Sequence, residues 1–77
     1  MARYEEVESM IEEMENKGYG CMFADLGSEK QVPYEMFSEK MTESVTALYF
    51  VTMTDDIFKN GLESLDGIEY VRKEVSL

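Results

Sequence analysis

Carboxylates are the groups with which this chain could act. Seventeen Asp and Glu stand against seven Lys and Arg, and there is no histidine. Six of the glutamates, Glu5, Glu6, Glu8, Glu12, Glu13 and Glu15, fall within one short stretch. On a helix rising 1.5 Å per residue, Glu5, Glu8, Glu12 and Glu15 make a row with steps of about 4.5 to 6 Å. Nucleic acid carries one phosphate per ~3.4 Å along each strand, so the row alone is sparser than a phosphate strand. Adding Glu6 and Glu13 brings the two densities closer. Such a row could attract a basic groove that ordinarily holds DNA or RNA, and long-range attraction would speed the encounter. The plainer reading is a solvated helix face. Against it stands the lack of lysines among these glutamates: Arg3 and Lys17 flank the stretch. A helix surface shaped for stability alone usually mixes signs to gain i,i+4 pairs.

Other residues admit other chemistry. Calcium needs six to eight oxygens, and acidic turns supply them. Asp25, Ser28 and Glu29 lie around one turn, and Asp55 and Asp56 lie beside Thr52 and Thr54 at another. Neither segment has the twelve-residue loop of an EF-hand. Asp55 and Asp56 read more simply as acids in the first turn of a helix. Cys21 has apolar neighbours and no histidine to activate it, so it reads as a buried structural thiol. One cysteine forms no internal disulfide and no four-cysteine zinc site. Gly18-Tyr19-Gly20 is too short for a phosphate loop. Nothing places two carboxylates across a cleft, and without histidine there is no Ser-His-Asp triad. The expectation is a protein that is not an enzyme and uses no cofactor. Tyr19, Tyr34 and Met36 are candidate apolar anchors beside the acidic rim, the usual anatomy of a protein interface.

Composition narrows the partners. The net charge is -10, which argues against neutralising phosphates directly and so against direct nucleic-acid binding. Apolar residues make up 44% of the chain, too many for a disordered acidic tail. No run approaches the ~18 apolar residues of a membrane span, and no basic stretch leads into an apolar one as in a secretory signal. The expectation is a cytoplasmic protein with no membrane partner. Residues 1–77 read as a single compact domain with a radius of gyration of about 11 to 12 Å.

The elements that would position these residues follow from periodicity. Tyr4, Val7, Met10, Ile11 and Met14 recur at helical spacing and span an arc of about 120°, with the glutamates opposite. They predict a helix over 3–17, closed by Gly18. Gly18-Tyr19-Gly20 reads as a turn. Residues 21–26 read as a short buried strand. Residues 34–42 read as a short helix led by Pro33, with Tyr34, Phe37 and Met41 on one face. The rival is a hairpin in which 31–38 pairs with 20–26. Residues 46–53, rich in Thr, Val, Tyr and Phe, read as a central strand. Thr54 caps a following helix whose apolar face is Ile57, Phe58, Leu62 and Leu65, ended by Asp66-Gly67. Gly61 is its weak point. Residues 68–77 read as a last strand, at an edge guarded by Arg72 and Lys73.

The fold class expected is α+β, an α/β sandwich with a small three- to four-stranded sheet and two to three helices. The last strand–helix–strand run reads as a βαβ unit with a right-handed crossover. An antiparallel pair before it would complete one sheet with two helices on one face. That order resembles a ferredoxin-like sandwich lacking its first strand. In size, acidity and lack of catalytic residues the chain is similar to small phage-encoded inhibitors of host defence such as anti-CRISPR proteins. The resemblance implies an inhibitor or adaptor on the basic surface of a nucleic-acid-binding protein or complex. The alternatives are a calcium-binding or calcium-stabilised domain and a structural homodimer formed through the open side of the sheet.

Overall fold

The architecture is given by a computed structural model that describes residues 2–27, 31–33 and 44–75, with side chains from Glu5 onward. It is an α+β fold. Helix α1 spans Ala2–Asn16, followed by strands β1 (Tyr19–Asp25), β2 (Gln31–Pro33) and β3 (Ala47–Thr52), helix α2 (Asp55–Asn60) and strand β4 (Val71–Glu74). The four strands form one sheet in the order β2-β1-β3-β4, and every neighbouring pair is antiparallel. The radius of gyration is 11.9 Å.

The first helix follows its sequence pattern. Val7 and Met14 are buried, and Met10 and Ile11 are half-buried beside them. The helix ends where Gly18 adopts φ 90°, with its N–H donating to the Glu15 carbonyl. A left-handed residue at this position suits glycine, which has no Cβ to clash. Tyr19 and Gly20 already belong to β1, so the expected three-residue turn is shorter.

Strand β3 is the centre of the molecule. Ala47 through Val51 are all buried, the pattern of a strand covered on both faces. On one face Leu48 and Phe50 meet Val7 and Met14 of α1, with Ala24, Val45 and Val75. On the other, Tyr49 and Val51 meet Phe23 and Leu65, with Ile57, Leu62 and Ile68 packed around them. Burying a side chain such as Leu48 or Phe50 stabilises the fold by roughly 1.5 to 3 kcal/mol. A β-bulge between Cys21 and Phe23 breaks the alternation of β1: Cys21 packs towards α1, while Met22 and Phe23 both turn to the other side.

Three expectations are corrected. First, the run β3-α2-β4 is not a parallel crossover, because β3 and β4 are antiparallel neighbours. Helix α2 stops at Asn60, where Gly61 adopts φ 71° and its N–H donates to the Ile57 carbonyl. The chain then doubles back, and β4 starts beside Phe50, near the end of the sheet at which β3 finished. Second, the two helices lie on opposite faces of the sheet, since Ile57 packs on the face that α1 does not cover. Third, Phe58 is not part of an apolar face; it is 80% exposed. Leu62 and Leu65 reach the core from the non-helical segment after Gly61, and Asp66-Gly67 ends no helix. The last strand is limited to Val71–Glu74, and it does lie at an edge. At the other edge Gln31, Val32 and Pro33 pair with Asp25, Ala24 and Phe23, the start of the expected hairpin. The helix expected at 34–42 lies outside the described residues.

Candidate functional site

The packing of α1 decides where its carboxylates point. With Val7 and Met14 held against the sheet, Glu5, Glu8, Glu12, Glu13 and Glu15 are exposed and Glu6 is half-buried. The helix thus presents a continuous carboxylate ridge to water. On it Lys17 Nζ pairs with Glu13 Oε1 at 3.4 Å, with both side chains largely exposed. Pairs of this kind contribute little. Each like-charge step along the ridge, as from Glu8 to Glu12, costs a helix a few tenths of a kcal/mol.

The ridge has two flanks. Glu8, Glu12 and Glu15 border a shallow hollow of about 370 Å³ floored by Ile11. Glu5, Glu6 and Glu13 border a second, of about 540 Å³, with Met10, Met14 and Lys73 of β4. The sequence row of four is therefore shared out: Glu8, Glu12 and Glu15 stand together, and Glu5 looks towards the sheet edge.

The anchor candidates fare differently. Tyr19 opens β1, half-buried against the α1-side core, and borders a hollow of about 450 Å³ with Thr52, Ile68 and Tyr70. Tyr34 and Met36 lie outside the described residues. Two exposed aromatics were missed by sequence reasoning, Phe58 and Tyr70, the latter 48% exposed. Both sit where apolar periodicity points inward. Ile57, beside Phe58 in the same short helix, is the residue that packs inward, and the sequence does not tell the two apart.

The calcium candidates are not brought together. Asp25 closes β1 opposite Ala47, at the start of β3, whereas Asp55 and Asp56 follow the end of β3. Glu29 lies outside the described residues. Asp25 is instead a buried carboxylate in the sheet. Its Oδ2 accepts a hydrogen bond from the Tyr49 hydroxyl at 2.8 Å, and Arg72 Nη2 stands 3.9 Å from the same oxygen. Its Oδ1 is buried without a hydrogen bond. Tyr70 packs edge-on against Tyr49, with ring centroids 5.4 Å apart. The Glu74 carboxylate, and then the Tyr49 hydroxyl, hold the Arg72 guanidinium above its usual range. No three His, Cys, Asp or Glu side chains among the described residues are grouped to hold a metal ion.

Cys21 is half-buried, and burial pushes its thiol up to about 12. It is protonated at neutral pH and a poor nucleophile there. No helix among the described residues is long and apolar enough to cross a membrane.

Comparison with protein-family models, with curated proteins and with solved structures found no match.

Proposed function

We propose that this protein is a non-enzymatic binding module whose α1 ridge occupies a basic, nucleic-acid-binding surface of a partner protein by charge mimicry. The observation that supports this most is the solvent side of α1. Glu5, Glu8, Glu12 and Glu15 are exposed there, on a helix seated against the sheet by Val7 and Met14. A rigid element fixes the spacing of its charges, so little side-chain and backbone order has to be gained on binding. The partner supplies Lys and Arg, and the contact is steered electrostatically and weakens with salt. Glu8, Glu12 and Glu15 form the main charged contact, with Glu5 at the other flank and Tyr19 as a candidate apolar anchor beyond the ridge. The class of action is that of small inhibitors of the anti-CRISPR kind.

The test is affinity capture from a lysate with the native chain and with Glu8→Lys/Glu12→Lys. Nucleic-acid-binding proteins retained by the first and lost by the second support the reading. An identical set of retained proteins with both chains overturns it.

A further inference from the structure

The two edges of the sheet differ. Strand β2 is three residues long and includes Pro33, which has no N–H to offer. Strand β4 carries no proline. The N–H of Val75 donates to the Thr46 carbonyl, so Val75 faces β3. Backbone direction alternates along an antiparallel strand. Lys73 and Val71 therefore also face β3, and Arg72 and Glu74 turn their N–H and C=O groups to the open edge. Among the described residues nothing pairs with that edge.

We propose that the β4 edge pairs antiparallel with β4 of a second copy, in the register that sets Arg72 opposite Glu74 of the other chain. Hydrogen bonding requires outward-facing residues to meet outward-facing residues, which leaves three central registers. One sets Arg72 against Arg72, and another sets Glu74 against Glu74. The third sets Arg72 against Glu74 twice over, about a two-fold axis through Lys73. Arg72 and Glu74 are already paired along their own strand, Nη1 to Oε1 at 2.9 Å. Two copies in this register give a square of alternating charges, closed by four backbone hydrogen bonds. Directly opposed unlike charges favour an antiparallel pair and like charges disfavour it.

Lys73 meets its own copy on the α1 face, an unfavourable contact taken alone. Glu5, Glu6 and Glu13 share its hollow, however, and supply the compensating charge. The two-fold axis is perpendicular to the sheet, so both α1 ridges stand on the same face of one eight-stranded sheet. The net charge of -10 on each copy opposes association, and ~0.15 M salt limits its reach to about 8 Å.

The experiment is sedimentation equilibrium of the whole chain up to about 1 mM in ~0.15 M salt, with amide exchange at both ends of the concentration range. The native chain is expected to rise from one chain's mass towards two. Glu74→Arg is expected to stay monomeric, and Arg72→Glu/Glu74→Arg to associate again. Exchange at the Arg72 and Glu74 amides is expected to slow with concentration, and exchange at Lys73 to stay as it was. A native chain that remains monomeric at the highest concentration overturns the proposal. So does a Glu74→Arg chain that associates like the native one. If the swapped chain fails to fold, the amide pattern decides: equal concentration dependence at residues 72, 73 and 74 overturns the register.

Discussion

Tyr49→Phe removes one oxygen atom and leaves the ring, so its cost reports what the hydroxyl does for Asp25 and, to a lesser degree, for the exposed Arg72 guanidinium. The ring of Tyr49 lies in the cluster with Phe23, Val51 and Leu65 and packs against Tyr70, and phenylalanine keeps those contacts. What disappears is the 2.8 Å bond to Asp25 Oδ2, and with it the hydroxyl's contact to the exposed Arg72 guanidinium, which contributes little. Oδ1 of the same carboxylate has no hydrogen bond, and Arg72 at 3.9 Å is too far to replace the hydroxyl. A hydrogen bond to a charged group contributes about 1.5 to 3 kcal/mol, and a buried acceptor left unsatisfied costs about as much. The expected loss is about 2 to 3 kcal/mol in urea unfolding. For a chain of this size that corresponds to a Tm lower by roughly 10 to 20 °C. It is a large share of the few kcal/mol by which so small a domain is stable. The control is the same substitution in an Asp25→Ala background, where it should cost less than about 0.5 kcal/mol because the acceptor is gone. A loss below about 0.5 kcal/mol in the native chain, or an equal loss in both backgrounds, would refute the reasoning.

Other consequences are as direct. Cys21 should react with a thiol reagent at pH 8 roughly a thousandfold more slowly in the native chain than in urea, where an unfolded thiol titrates near 8.5. Because the folded thiol is raised, its contribution to stability is complete below about pH 8.5 and declines as pH climbs towards 12, which urea midpoints across that range would register. Phe58→Ser should leave stability within about 0.5 kcal/mol, whereas Phe50→Ala should cost about 3 to 5 kcal/mol, since the first side chain is 80% exposed and the second fully buried.

Local structure was legible in the sequence where one pattern had one solution. The apolar arc of α1 and its glutamates could be satisfied only by a helix lying on something, and the helix runs over Ala2–Asn16, close to the expected 3–17. The short run rich in Thr, Val, Tyr and Phe could only be a central strand, and Ala47–Val51 are buried on both sides. Topology was not legible. The segment between Thr52 and Val71 is long enough for a parallel crossover or for an excursion that returns to the same end of the sheet. Helix α2 ends at Gly61 and the chain returns to the same end of the sheet, and composition marked that glycine only as a weak point in a helix. The β-bulge at Cys21–Phe23 was hidden for a similar reason: it redirects side chains without altering the apolar character of the run. Asp25 falls in the expected buried strand 21–26, but its bonding was not legible because its partners, Tyr49 and Arg72, come from strands 24 and 47 positions away. Of the site itself, the position and charge of the ridge were legible, and its division into two flanks depended on where β4 lies.

In the proposed function the carboxylate ridge of α1 takes the place of nucleic acid on its partner. The most direct measurement is displacement. A labelled oligonucleotide is bound to a protein captured by the native chain, and the native chain or Glu8→Lys/Glu12→Lys is titrated in. The native chain should release the oligonucleotide, less readily as salt increases, and the charge-reversed chain should not release it. Oligonucleotide that stays bound while the native chain also binds, or equal release by both chains, would contradict it.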